Sequence, residues 1–319
     1  MKAVICRKFG AAHKLILANV TTPVPSEKQL LVKVMATTVT AGDCEIRSLR
    51  LGVIFNFMLR IFSKFSTLSL GMELAGEVIS IGKNVSLFKV GDKVMAAPGF
   101  KANAQFICLS EDGPVVLKPT NINDQEAAVI PVGGTNALHF LRKAAIKPNE
   151  KVLIYGASGS IGTAAIQLAK YYGATVTAVC STNNLTLVQS LGADNVIDYS
   201  QENYAEQGQE YDVIFDTLGK SLFKTNMNLL SQNGRYLLAA PKLREIIKGY
   251  WLTKTSTKKV ISAFANHDAE QLNFLKKLVE QKQFKPVIDR TYPLEEIVDA
   301  HLYVEKGHKK GNVAITVSH

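Results

Sequence analysis

Residues 151–180, KVLIYGASGSIGTAAIQLAK followed by YYGATVTAVC, decide how this chain is read. The run Lys151–Tyr155 is short, apolar and β-branched, the composition of a buried strand. Gly156, Ala157, Ser158, Gly159, Ser160, Ile161 and Gly162 follow at once, then a stretch of helix composition from Thr163 to Lys170. Residues 174–180 read as a second strand. Strand, glycine turn, helix and strand within about 30 residues form the βαβ context of a dinucleotide-binding fingerprint.

Each small residue in that turn has a physical reason. A Cβ at Gly159 would hold a pyrophosphate away from the backbone, and Gly162 lets the helix pack tightly on the strand. The helix N-terminus offers N–H groups and a positive dipole end to phosphates. Ala157 stands where the first glycine of G-x-G-x-x-G usually lies, so the match is an A-x-G-x-x-G variant with Gly156 just before it. Glycines before a helix also serve packing alone, but strands on both sides favour a nucleotide site. Ala157, Ser158, Gly159, Ser160, Ile161 and Gly162 are its candidate contacts.

The end of the second strand bears on which nucleotide. An NAD site usually carries an Asp or Glu about 20 residues beyond the fingerprint, bonded to the ribose 2′-OH. No Asp or Glu occurs anywhere from Lys151 to Ala193. Instead the strand runs into Ser181, Thr182, Asn183 and Asn184, which donate hydrogen bonds and carry no charge to repel a 2′-phosphate. NADP(H) is therefore expected over NAD(H), although no Arg or Lys stands in this loop.

At 319 residues the chain has room for two domains with substantial cores. The net charge of +10, from 37 basic and 27 acidic residues, is spread along the chain, with only short clusters such as Lys258 with Lys259 and Lys309 with Lys310. An anionic cofactor and solubility explain that excess, and nucleic acid is not the expected partner. Four cysteines far apart, with no C-x-x-C pair, are neither a disulfide framework nor a zinc knuckle and suit a reducing compartment. No signal-peptide core and no run of 18 apolar residues is present; the apolar stretch 51–70 is broken by Asn56, Arg60 and Lys64. It reads as an amphipathic wall of a pocket or an interface. No membrane and a cytoplasmic setting are expected.

Strand patterns at 2–8, 29–36, 73–81, 93–96, 104–109 and 115–118 predict a compact, mostly antiparallel, barrel-like domain. From Asn123 the character turns helical, with Asp124–Ala128 and then 135–145. Strand candidates at 151–155, 176–180, 195–197, 212–215, 234–239 and 260–264, alternating with helices, predict a doubly wound parallel sheet. A helix over 269–281 precedes a mixed tail. The expected domains are 1–122, 123–281 and a return segment 282–319.

Several segments in order carry a family resemblance: GMELAGEV from Gly71, VGDKV from Val90, AAVIPVGGTNAL from Ala127, GASGSIG from Gly156, SLGADNVIDY from Ser190, YDVIFDTLG from Tyr211, PVIDRTYPL from Pro286 and GHKKGNV from Gly307. Over nearly its full length the chain resembles the medium-chain dehydrogenase/reductase superfamily, within it the zinc-free quinone oxidoreductase-like branch. The resemblance implies an α/β fold with a GroES-like, mostly antiparallel β catalytic domain and a Rossmann doubly wound parallel sheet. It also implies a homodimer or larger homo-oligomer. Zinc-dependent relatives place a Cys and a His where this chain has Thr40 and Met72, and only Cys108 falls in the region of a structural zinc lobe. No metal is expected.

Without a Lewis acid, quinones and α,β-unsaturated carbonyls accept hydride more easily than unactivated carbonyls, because the charge delocalises. The expected reaction is NADPH-dependent reduction of such an acceptor, with the proton supplied by solvent. The alternatives are a 2-alkenal or enoyl-thioester reductase and a catalytically weak NADPH-binding interaction protein. The resemblance places Thr40, Asp43 and Asn136 at the reacting end, with Asp43 organising its loop. Arg47 either holds Asp43 or the cofactor, or lies on the surface. Tyr199, Leu218, Gly219, Lys310 and Asn312 join Ser181, Thr182 and Asn184 as cofactor contacts. The segments 51–65 and 243–252 are expected to wall the acceptor pocket.

Overall fold

The computed structural model describes residues 1–50, 56, 68–241, 243–262 and 265–319. Most of the apolar stretch expected to wall a pocket, 51–55 and 57–67, lies outside them. The chain divides into two compact units: Met1–Val132 with His267–Glu280 and Pro286–His319, and Gly133–Asn266 with Gln281–Lys285.

The first unit begins with strands β1 (Lys2–Cys6), β2 (Leu15–Asn19) and β3 (Gln29–Val39), then helix α1 (Ala41–Ser48). Strands β4 (Leu68–Ser69), β5 (Leu74–Ile81), β6 (Lys93–Ala96), β7 (Phe106–Ser110) and β8 (Val115–Leu117) and helix α2 (Asp124–Ala128) follow. Helix α3 (Pro131–Ala144) starts in this unit and continues into the second. The long β3 is central because its buried residues Leu30, Val32, Val34 and Ala36 recur at every second position. It pairs antiparallel with β5 and β7.

The second unit alternates strand and helix: β9 (Lys151–Tyr155), α4 (Ser160–Tyr171), β10 (Thr175–Cys180), α5 (Leu185–Ser190), β11 (Asn195–Asp198) and β12 (Tyr211–Asp216). Then come α6 (Phe223–Leu229), β13 (Leu230–Leu238), α7 (Leu243–Thr255) and β14 (Lys259–Ser262). Its six strands are all parallel, in the order β11-β10-β9-β12-β13-β14. The sequence runs one way from β9 to β11 and the other way from β12 to β14, so the topological switch point lies at β9 and β12, where ligands gather outside the carboxyl ends.

Helix α8 (Ala269–Glu280) belongs with the first unit. Strand β15 (Ile288–Pro293), helix α9 (Ile297–Glu305) and strand β16 (Asn312–Thr316) complete that unit, with β16 between β15 and β3 in a seven-stranded sheet.

Two local readings change. Strand β2 lies between the expected strands 2–8 and 29–36, where none is expected, because Leu15 and Leu17 pair with Cys6 and Val4 of β1. The segment after Thr40 is a helix rather than a loop, started by a reciprocal cap between Thr40 and Asp43. In α7, Leu243, Ile247, Tyr250 and Trp251 are exposed. Among the described residues no helix is long and apolar enough to cross a membrane.

Candidate functional site

The glycine turn sits at the carboxyl end of β9. Gly156 has φ +77°, the left-handed conformation that favours glycine, and its N–H and that of Ala157 both donate to the Val179 carbonyl. The tight-turn role thus falls to Gly156, while Ala157 is fully buried. A Cβ on Gly162 would overlap the Gly156 carbonyl oxygen and lie 2.7 Å from the Ala157 Cα, so the helix closes directly on the turn. A Cβ on Gly159 would meet only the Gly156 oxygen at 3.5 Å. The space over Gly159 is therefore open, and Gly159 is itself the N-cap of α4, with no side chain capping the helix. Ser160 and Ile161 are the first two residues of that helix. This is the cradle a pyrophosphate requires.

Two loops flank the turn. After β12, the fully buried Asp216 accepts from the backbone N–H groups of Leu218 and Gly219 at 2.9 and 2.8 Å, which fixes the loop. The Thr217 hydroxyl donates to the Tyr155 carbonyl at 2.9 Å, joining this loop to β9. After β10, the Asn184 amide donates to the hydroxyls of Ser158 (2.9 Å) and Ser181 (3.2 Å), joining the third strand end to the glycine turn. Asn184 is 7% exposed and its Oδ1 has no hydrogen-bond partner among the described residues. A ribose hydroxyl is a donor of the kind this oxygen lacks. The residues of this unit fit a dinucleotide.

A carboxylate does stand beside this loop, although none occurs in the sequence from 151 to 193. Asp198 ends β11, pairs in register with Cys180 and accepts a short hydrogen bond from the Thr182 hydroxyl. Tyr199 follows it, half exposed, and with Tyr155, Tyr204, Lys220 and Leu222 it lines a cavity of about 400 Å³. A larger groove in the first unit, about 600 Å³ beside Arg290 and Tyr303, contains none of the candidate residues. Asn136 lies half-buried in α3.

In the first unit, Thr40 and Met72 come together: the Thr40 hydroxyl is 3.3 Å from the Met72 sulfur. Gly42 lies directly against them, since a Cβ there would approach that sulfur to 2.9 Å. Asp43 is buried, with one carboxylate oxygen accepting from the Thr40 N–H and hydroxyl (2.9 and 2.7 Å) and the other from the Gly71 N–H (2.9 Å). Its carboxyl is pushed up by burial, against the pull of those donors. Asp43 thus orders a helix start and the Gly71 turn.

Glu73, next in sequence to Met72, is fully buried and accepts from the Thr38 hydroxyl (2.8 Å) and the Val132 N–H (2.6 Å). Burial pushes its carboxyl up to about 7, and the Lys309 ammonium opposes that rise. Burial likewise lowers Lys309 to about 8, opposed by Glu73 and Asp289. The Lys309 ammonium donates to the Gly311 carbonyl. The backbone N–H of its neighbour Lys310 donates to Asp289 at 3.0 Å, and the Asn312 amide donates to the Val287 carbonyl at 3.1 Å.

Arg47 is neither at the surface nor on Asp43. It is fully buried, paired with Glu305 at 2.6 Å, and donates to the Gly10 carbonyl and to His301. A fully desolvated guanidinium needs those acceptors, and they come from segments far away in sequence. Cys44 is buried 3.3 Å from His301, its thiol pushed up to about 12 by burial. Among the described residues, no group of three or more His, Cys, Asp or Glu side chains could hold a metal ion.

A doubly wound unit with an open glycine turn that fits a pyrophosphate, carried on a chain with an antiparallel-rich β unit, is the architecture of a dinucleotide-dependent oxidoreductase class. Residues 26–122 match the family model of the alcohol dehydrogenase GroES-like domain, and residues 191–315 match that of the zinc-binding dehydrogenase. The chain is 32% identical to the chloroplast envelope quinone oxidoreductase homolog of Arabidopsis thaliana, covering 96% of this chain and 95% of that protein. It is 31% identical to the 2-methylene-furan-3-one reductase of Solanum lycopersicum, over 99% of this chain and 79% of that one. The structure of the quinone oxidoreductase from Coxiella burnetii superposes with a TM-score of 0.90 at 28% identity, covering 100% and 99% of the two chains. The chain belongs to the medium-chain dehydrogenase/reductase superfamily, in its quinone oxidoreductase-like branch.

Proposed function

We propose that this enzyme is a zinc-independent, NADPH-dependent reductase acting on quinones or α,β-unsaturated carbonyls. The observation that carries the reading is the 3.3 Å contact of the Thr40 hydroxyl with the Met72 sulfur, at the two positions where zinc-dependent relatives use Cys and His. A hydroxyl and a thioether are a poor donor set for zinc, although one matched family model bears the name of zinc-binding dehydrogenases. When bound, the nicotinamide supplies the hydride, and the chain's residues supply position and charge stabilisation.

The hydroxyl- and amide-rich loop Ser181, Thr182, Asn183 and Asn184 supports NADPH over NADH. Ala157 to Gly162, Leu218 and Gly219 would hold the dinucleotide, with Tyr199 toward its adenosine end. In the first unit Asp43 keeps Thr40 oriented. An enone acceptor is supported by the tomato furanone reductase among the relatives, and a quinone by the Arabidopsis protein. The exposed apolar residues of α7 support self-association, and the four unpaired cysteines support a reducing, cytoplasmic setting.

Oxidation of NADPH and of NADH, followed with a panel of quinones and enones in EDTA, tests the reading. Turnover that prefers NADPH and ignores the chelator is expected. A preference for NADH would overturn the cofactor assignment, and loss of activity in EDTA would overturn the metal assignment. NADPH binding without turnover would favour a binding protein over an enzyme.

A further inference from the structure

We propose that Asp198 acts through Thr182 to restrain the preference of this site for a 2′-phosphorylated dinucleotide. The inference rests on the dinucleotide reading above and concerns a residue outside the sequence window in which such carboxylates are usually sought. Asp198 is 6% exposed at the end of β11. One of its oxygens accepts from the Ser200 N–H at 3.0 Å and from the Ser200 hydroxyl at 2.6 Å, and the other accepts from the Thr182 hydroxyl. Among the described residues no cation pairs with it. The Ser200 and Thr182 hydrogen bonds hold its carboxyl below the ordinary range, so it is ionised at neutral pH.

A hydroxyl has one proton to give. Those of Thr182 and Ser200 both go to Asp198, so across the 3.1 Å contact between them the two oxygens present lone pairs only. Thr182 therefore offers the ligand side of the loop an acceptor, although its composition suggests a donor. An acceptor suits a ribose 2′-OH and opposes a phosphate dianion. The donors left for a 2′-phosphate come from the rest of the loop, with the Asp198 charge one hydrogen bond behind. A unit charge so placed alters affinity for a dianion by about tenfold in partly hydrated surroundings.

The isosteric change Asp198→Asn removes the charge and puts an amide donor against the Thr182 oxygen, freeing the Thr182 proton to point away. Calorimetric titration of the full chain with 2′,5′-ADP and with 5′-ADP reads the effect at the adenosine end alone. Asp198→Asn is expected to tighten 2′,5′-ADP by about tenfold while leaving 5′-ADP within about twofold, and the gain shrinks in high salt. Thr182→Ala, which uncovers the carboxylate, is expected to weaken 2′,5′-ADP several-fold and spare 5′-ADP.

A merely structural Asp198 would weaken both nucleotides alike; that result, or an unchanged ratio in both variants, overturns the inference alone. A wild-type chain that binds neither nucleotide overturns the dinucleotide reading, and the inference falls with it.

Discussion

The glycine turn of the second unit and the Thr40–Glu73 cluster of the first are built in opposite ways. The turn is made of backbone: Gly156 and Gly159 lie in the loop and Gly162 in the first turn of α4, and their value is the absence of a side chain. The cluster is made of the side chains of Thr38, Thr40, Asp43 and Glu73, which meet the backbone N–H groups of Gly71 and Val132. The first can be read from spacing. The second exists only once the chain has folded, and its polar groups saturate one another in a dry interior.

The largest test of that contrast lies in the turn. Gly162→Val drives carbon into the Gly156 carbonyl and the Ala157 backbone, and a destabilisation of more than about 3 kcal/mol is expected in urea unfolding. Gly159→Ala, at φ −80° with its nearest neighbour 3.5 Å from the new methyl, is expected to leave stability almost unchanged. It should still weaken dinucleotide binding by at least about tenfold, because the methyl occupies the phosphate cradle. Equal effects of both changes on stability would erase the distinction between packing glycine and cradle glycine.

In the cluster, Asp43→Ala strips partners from the Thr40 and Gly71 N–H groups and removes the start of α1. A loss of about 2–3 kcal/mol is expected by denaturant unfolding, with 5′-ADP binding in the folded protein unaffected. If adenosine binding fell with it, the two regions would not be separable in function.

The smallest effect is one of pH. Glu73 has an ordinary value of 4.5 and a folded value of about 7, so between these the folded chain keeps a proton that the unfolded chain releases. Its contribution is full below pH 4.5 and is lost as pH rises through 7. Relative to Glu73→Gln, the natural protein should therefore lose on the order of 2 kcal/mol between pH 4.5 and 7.5, measured as urea midpoints at both pH values. Lys309 has the opposite sign, its penalty easing from pH 8 to 10.5 as the unfolded amine also loses its charge. A flat difference between natural protein and Glu73→Gln would show that folding leaves the Glu73 carboxyl at its ordinary value.

The legible parts of the chain are local ones. The strands of the parallel sheet follow β-branched runs, and the glycine turn follows spacing. Helix α1 was also legible in principle, since Thr40 and Asp43 stand three apart as a capping pair. Gly42 in its first turn weakens the helical pattern and hides it. Asp198 escaped notice because strand pairing, not sequence distance, sets it beside Thr182. Arg47 could not be placed from sequence, because its partners come from two distant segments, the turn at Gly10 and helix α9 with His301 and Glu305.

The position of β16 has a consequence for how the protein is made. That strand follows the entire second unit in the sequence, yet it lies inside the seven-stranded sheet, between β15 and β3. During synthesis the Ala36–Val39 end of β3 emerges early with one edge unpaired and waits for a strand that is delivered only after the second unit, which is drawn mainly from one continuous segment and can form first. An exposed central strand is a template for wrong pairing. The first unit is therefore where a nascent chain is most open to aggregation and to chaperones.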